Sequence, residues 1–220
     1  MATNVLINGE SGTGKSRSLL NLNPEEVFLI NVNQKPLPFR GWKKKFTIYN
    51  SKDNQSGNML NIDQYDHIIK AIDVVDAKQN IKIGIIDDAQ YIMANEFMRR
   101  SKEKGYDKFN EIGNHYWDII WRCQLCRQDM VWFFLSHVET VAETGVVKAK
   151  TIGKMLDDKI CIEGMFTIVL NTSVEDGKYF FETQNNGRNT SKSPEGMFPA
   201  KIENDLQLVI NSIKQYEEGE

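Results

Sequence analysis

Five short runs of apolar residues set the terms on which this chain can fold: Thr3–Asn8 around Val5-Leu6-Ile7, Val27–Val32, Ile81–Ile86, Met130–Leu135 and Phe166–Asn171. Each is too short for a buried helix and lacks the polar alternation of a half-exposed strand. They read as strands buried on both faces. Segments of helical spacing lie between them. Asp63–Lys78 carries Tyr65, Ile68, Ile69, Ile72 and Val75 on one stripe, and Tyr91–Lys104, Phe109–Arg127 and Asn204–Tyr216 read as further helices. A helix is also expected after the first strand, through about Asn21. Strands alternating with helices predict an α/β fold, a mostly parallel sheet with helices on both faces and right-handed crossovers. Lys178–Thr183, after the turn Glu175-Asp176-Gly177, predicts a C-terminal antiparallel hairpin. Gln34–Asn61, broken by Pro36, Pro38 and Gly57, is expected to be irregular. Val138–Ile152 reads as a loop or hairpin, and Gly153–Glu163 as a short helix. The length, 220 residues, suits one domain spanning 1–220, with 175–216 as an appendage to its core.

Composition removes several classes. Apolar residues make up 40% and charged residues 26%, the balance of a folded globular chain rather than a disordered one. No apolar run approaches the roughly 18 residues of a membrane span, and Met1–Asn4 carries no basic segment of a secretory leader. No membrane partner and a cytoplasmic location are therefore expected. Three cysteines cannot pair fully, which favours a reducing compartment. The net charge of −3 excludes a uniformly basic surface but not local basic patches.

Between the first strand and the first helix lies Gly9-Glu10-Ser11-Gly12-Thr13-Gly14-Lys15-Ser16, a complete G-x-x-x-x-G-K-[ST] in its proper strand–turn–helix setting. Glycines let backbone N–H groups converge on a phosphate, and the helix that follows points its positive end at the same anion. Lys15 reaches the β- and γ-phosphates, Ser16 offers a hydroxyl to Mg²⁺, and Arg17 completes the nucleotide-binding set. The acid-tipped strand Ile83-Gly84-Ile85-Ile86-Asp87-Asp88 supplies a second anchor. Asp87 would hold Mg²⁺ through water, since burial of its charge is tolerable only beside a cation. Asp88 is the candidate to orient or deprotonate an attacking water; the competing reading is an N-cap for the helix near Tyr91. His137, after the strand Phe133-Phe134-Leu135-Ser136, faces the ligand crevice as a γ-phosphate sensor or is a satisfied structural histidine.

With these elements the chain resembles the RecA-like P-loop ATPases, and more closely the ATP-binding proteins of tailed-phage recombination and replication modules, some described as ATP-dependent single-strand annealing proteins. The resemblance spans nearly the whole chain through GESGTGKS, FLINVNQKPLPFRGW, IGIIDDAQYIMANEFMRR, WFFLSH, KTIGKMLDDKICIEGMF and ETQNNGRNTSKSPEGMF. It implies a RecA-like core of five mostly parallel strands in the order fifth, first, fourth, third, second. It also implies an Mg²⁺-dependent ATPase that self-associates into a ring or filament on single-stranded DNA in the bacterial host cytoplasm. A single-strand-binding protein is a further implied partner. Lys148 and Lys150, in the loop after the sensor strand, would face DNA phosphates. Arg188 and Lys192 would reach into a neighbour's ATP site as trans cations. One departure stands out: Asn31-Val32-Asn33 puts an amide where such proteins carry a catalytic glutamate. Either Asp88 activates water, or hydrolysis is slow and ATP acts as an assembly switch.

Five cations lie between Lys35 and Lys45 with no acid among them, interleaved with Phe39 and Trp42. Charge plus aromatic platforms suits single-stranded nucleic acid, with Lys43, Lys44 and Lys45 as the contacts; a solvated loop with aromatics packed on the core is the equal alternative. Cys123 and Cys126 form a C-x-x-C without a second pair, which does not make a zinc site. Trp117 and Trp121 give their helix a second apolar face, which is buried or meets a partner. Two other functions compete with DNA annealing: a nucleotide-gated adaptor such as a helicase loader, and a nucleotide kinase, which would need an arginine-rich lid that the sequence lacks.

Overall fold

A computed structural model describes residues 1–50, 52, 56–152 and 160–219. Its strands are β1 (Thr3–Asn8), β2 (Val27–Asn31), β3 (Met59–Leu60), β4 (Ile83–Asp87), β5 (Val131–Ser136), β6 (Val138–Thr140), β7 (Val147–Ala149), β8 (Ile168–Glu175), β9 (Lys178–Glu182) and β10 (Lys201–Glu203). Its α-helices are α1 (Trp42–Lys45), α2 (Tyr65–Ala77), α3 (Tyr91–Arg99), α4 (Asp107–Gln124) and α5 (Leu206–Glu218). The fold is α/β. One mixed sheet runs β10-β9-β8-β1-β5-β4-β2-β3, and β6 pairs with β7 in a separate small hairpin. From β8 to β3 all neighbours are parallel; β9 and β10 add antiparallel at one edge. The five strands read from the sequence lie in the order fifth, first, fourth, third, second.

Each central strand is apolar on both sides because both faces of the sheet are covered. On one face Leu6, Phe28, Ile30, Ile86, Trp132 and Phe134 pack under Ile68, Ile72, Ile92, Ile112, Tyr116 and Ile119 of α2, α3 and α4. On the other, Val5, Ile7, Leu29, Ile85, Phe133 and Leu170 meet Leu19, Leu22 and the Leu206, Val209, Ile210 and Ile213 stripe of α5. Asp205 starts α5 by accepting the Gln207 amide at 2.9 Å, and Gly219 ends it in the left-handed conformation. Parallel register brings Asn8, Asn31, Asp87, Ser136 and Asn171 to the same edge of the sheet, all of them buried polar residues.

Several segments differ from the sequence reading. The helix expected after the phosphate turn is a single 3-10 turn, Ser16–Leu19, because Asn21, Asn23 and Pro24 follow at once. The expected helix Tyr91–Lys104 stops at Arg99, before the polar stretch that ends at Gly105. The irregular segment Gln34–Asn61 contains α1 and the two-residue β3, which pairs parallel to β2. The sheet is wider than five strands because β3, β9 and β10 extend it. Most of the helix expected over Gly153–Glu163 lies outside the described residues; its end is a 3-10 turn, Ile162–Met165.

Gly84 in β4 stands opposite Trp132 in β5, and a Cβ there would lie 2.3 Å from the indole. Replacing Gly84 by Val is expected to destabilise the protein by about 1–3 kcal/mol through overpacking. Urea unfolding checks this, and an unchanged midpoint would contradict the close approach.

Candidate functional site

The turn Gly9–Ser16 leaves β1 at the polar edge of the sheet. Gly12 and Gly14 have φ of 82° and 96°, backbone that side chains resist. Its outer side is packed, not free. A Cβ on Gly9 would lie 1.8 Å from Thr172 Oγ1, and one on Gly14 would lie 2.8 Å from the Tyr179 ring. The Thr13 and Thr172 hydroxyls are 2.5 Å apart, so β8 holds the turn from the side.

Lys15 is 6% exposed, and its Nζ donates to the carbonyls of Gly9 (2.7 Å) and Glu10 (2.8 Å). Burial lowers its ammonium to about 8, against the pull of Asp88 and Asp87, so it stays charged at neutral pH. Ser16 Oγ donates to Asp87 Oδ1 at 3.0 Å. Asp87, 5% exposed at the tip of β4, is raised to about 6 by burial and by the neighbouring charge of Asp88. A buried carboxylate beside a hydroxyl is a hard-oxygen pair short of positive charge, and it fits Mg²⁺. Such ions are held by one or two protein oxygens together with substrate phosphates. When bound, the ion would supply charge compensation for phosphate oxygens. Among the described residues no group of three or more His, Cys, Asp or Glu is placed to cage a metal alone.

Asp88 has a left-handed backbone, φ 60°. Its Oδ2 receives Lys35 Nζ at 2.6 Å and Asn33 Nδ2 at 2.9 Å, and His137 Nε2 lies 3.3 Å from Oδ1. Burial alone would raise its pKa, but the His137, Lys35 and Asn33 contacts outweigh burial and hold the carboxyl well below the usual range. A carboxylate so occupied is a weak base, although it remains an acceptor that can orient a donor. Lys35 is held charged: partial burial opposes this, and the Asp88 contact overrides it. Asp88 does not cap α3 with its side chain. Gln90 is the N-cap residue, and only the Asp88 carbonyl takes the Tyr91 amide. Gln90 Oε1 in turn accepts the His137 backbone amide at 3.0 Å, and the Tyr91 ring meets the His137 imidazole edge-on at 6.0 Å. His137 is therefore fixed facing Asp88.

These groups line one cleft of about 350 Å³ that gathers Ser11, Gly12, Gly14, Lys15, Ser16, Arg17, Asp88 and His137, with Asp87 behind Ser16. The sequence reading missed Lys35, Pro38 and Tyr179 as parts of it. Lys35 was visible only as one cation of the basic run, and nothing marked Tyr179. Asn33 stood out as the amide in place of an acid, but not as a donor to Asp88.

The remaining candidates lie away from the cleft. Lys43 and Lys44 are exposed on α1, with Lys43 Nζ 5.7 Å from the Trp42 ring. Lys45 is tied by its Nζ to the Leu20 carbonyl at 2.5 Å, which closes the turn after the phosphate loop. Lys148 pairs across the β6–β7 hairpin with Glu139 at 3.2 Å, and Lys150 is exposed just beyond, its amide on the His137 carbonyl. Arg188 is exposed beside this hairpin, its carbonyl taking the Val147 amide. Lys192 pairs through its backbone with Val169 on β8. Neither Arg188 nor Lys192 lines the cleft of its own chain. Cys123 and Cys126 are buried, and burial raises both thiols, Cys126 to about 11, so they pack as apolar groups. Trp117 and Trp121 stack at 5.8 Å on α4, with Trp121 partly exposed.

Comparison with protein-family models and with curated proteins returned no match.

The raised pKa of Asp87 has a definite sign. Its ionised form is disfavoured in the folded state, so the cost is complete above about pH 6 and vanishes below the ordinary carboxyl range. Asp87→Asn, melted in a chelator, is expected to be more stable than the wild type at pH 7.5 by on the order of 2–3 kcal/mol. That advantage should shrink as the pH falls and vanish below about pH 3. An equal difference at both pH values would show that burial of this charge is not its source.

Proposed function

We propose that this chain is a RecA-like P-loop ATPase that binds MgATP in the cleft above β1 and β4, assembles on single-stranded DNA, and promotes strand annealing in phage recombination or replication in the host cytoplasm. The observation that carries the nucleotide reading is the juxtaposition of Lys15, Ser16 and Asp87. A buried ammonium sits on its own loop carbonyls, and a hydroxyl points at a buried carboxylate at the adjoining strand tip. This is the donor set that a triphosphate and a divalent cation require. The strand order around it supports the RecA-like reading.

The DNA reading is supported by placement. The β6–β7 hairpin follows the β5 tip directly, carries Lys148, is followed at once by Lys150, and meets Arg188, while Lys43 and Lys44 stand exposed on a second segment that begins at Lys35 in the cleft. Arg188 and Lys192, outside their own cleft, remain the candidates for a neighbour's site. A nucleotide-gated adaptor is the second reading, and the occupied, strongly acidic Asp88 favours it. With Asp88 held by its three partners, turnover would be slow and the bound nucleotide itself the signal.

The test is binding to labelled single-stranded DNA at low salt with and without MgATP. ATP should strengthen binding, and Lys15→Ala should abolish that gain. The same variant should weaken ATP itself at least tenfold, given roughly 1.5–3 kcal/mol for a charge-assisted hydrogen bond. Binding to ATP but never to DNA would leave the adaptor reading. No ATP binding by the wild type would end both.

A further inference from the structure

The segment after β2 sends two side chains to Asp88, those of Asn33 and Lys35. We propose that Lys35 is the residue by which the cleft tells a nucleoside triphosphate from a diphosphate: its ammonium exchanges Asp88 for an oxygen of the terminal phosphate. The assignment rests on the nucleotide reading above and adds to it which side chain reads the last phosphate.

Three observations place Lys35 at the outer end of a phosphate chain. First, it lines the same cavity as Gly12, Gly14, Lys15 and Ser16. Second, the strand order β1-β5-β4-β2 puts the turn after β1 at one end of this stretch of edge and the segment after β2 at the other, with Asp87 of β4 between them. A polyphosphate with its inner groups on the turn and its cation at Asp87 therefore runs toward Lys35. Third, Lys15 and Lys35 stand close enough for the charge of one to disfavour that of the other. An anion in the cavity they share relieves that repulsion.

The backbone that aims Lys35 is fixed, while its head is lightly held. Gln34, the residue before it, is a non-glycine residue in the left-handed conformation, φ 56°. Such backbone costs free energy and persists where its surroundings impose it. Here the Gln34 amide donates to the Asn31 carbonyl at 3.2 Å, and Asn31 Nδ2 donates to the Lys35 carbonyl at 2.9 Å. Asn31 is 3% exposed, so this clamp lies inside the protein. The Lys35 side chain, by contrast, is 58% exposed in its 2.6 Å pair with Asp88. An ion pair that open to water is weakly held, and a terminal phosphate offers it more charge and more acceptor oxygens than one carboxylate. The exchange does not strand Asp88, whose Oδ2 keeps Asn33 Nδ2 at 2.9 Å and whose Oδ1 keeps His137 at 3.3 Å.

Calorimetric titration of the full chain with Mg²⁺ and either ADP or a non-hydrolysable ATP analogue tests the assignment. The wild type should bind the triphosphate more tightly than ADP. Lys35→Met should weaken the triphosphate roughly tenfold, the loss of one charge-assisted hydrogen bond, and leave ADP within about twofold. Lys35→Arg, which keeps the cation, should recover most of the loss. Lys15→Ala should weaken both ligands. Added to Asp88→Asn and compared with Asp88→Asn alone, Lys35→Met should still weaken the triphosphate; disappearance of the effect there would show that Lys35 acts only by neutralising Asp88, and would overturn the proposal. Equal binding of the two nucleotides by the wild type, or a loss in Lys35→Met that is absent or the same for both, would overturn it too, while leaving the phosphate site standing. Failure of the wild type to bind either nucleotide would overturn the nucleotide reading and this assignment with it.

Discussion

Two buried charges, the ammonium of Lys15 and the carboxylate of Asp87, are the constraint on which the polar edge of the sheet depends. Neither is at ease: burial pushes Lys15 down to about 8 and Asp87 up to about 6. A fold selected for stability alone has no reason to keep either, because charges out of water cost free energy unless they are paired and hydrogen-bonded. Lys15 lessens its cost by bonding to the carbonyls of Gly9 and Glu10, and Asp87 by accepting from Ser16. Both arrangements are provisional in a chemical sense. Phosphate oxygens are better partners for the ammonium than carbonyls, and a divalent cation is a better partner for the carboxylate than a hydroxyl.

The parallel sheet brings these groups to one place. Because β2, β4, β5, β1 and β8 all end at the same edge, the turn after β1, the acid of β4 and the histidine after β5 converge although more than a hundred residues separate the first from the last. Asp88 shows how far that convergence goes. Its carboxylate is reached by Asn33 and Lys35 from beyond β2 and by His137 from beyond β5. Three partners make it a fixed acceptor instead of a proton sink. Lys35 also heads the segment that leads to the exposed Lys43 and Lys44, so the residue nearest Asp88 and the basic helix α1 share one stretch of chain.

The parts legible in the sequence were those written in local pattern. Apolar runs and helical stripes gave the five core strands, α2, α4 and α5, since burial on two faces or on one stripe leaves its period in the residues. The turn Gly9–Ser16 was legible because glycine, lysine and serine at that spacing form a recognisable phosphate-binding pattern. What stayed hidden was set by tertiary geometry. Lys35 reaches Asp88 past Gln34, a non-glycine residue with φ 56° whose left-handed turn nothing in its identity announces. Tyr179 reaches Gly14 only through the register of β9 on β8, where Val174 faces it. The two-residue β3 and the four-residue α1 are too short to carry a period at all. The expected helix after the turn was overread: the motif sets its start, but Asn21, Asn23 and Pro24 set its end.

The most direct measurement is a crystal structure of the protein with Mg²⁺ and a non-hydrolysable ATP analogue. The account predicts that Lys15 Nζ leaves the Gly9 and Glu10 carbonyls for phosphate oxygens, and that Ser16 Oγ leaves Asp87 for the cation. A nucleotide bound elsewhere, or bound with Lys15 still on its own loop and Ser16 still on Asp87, would contradict it.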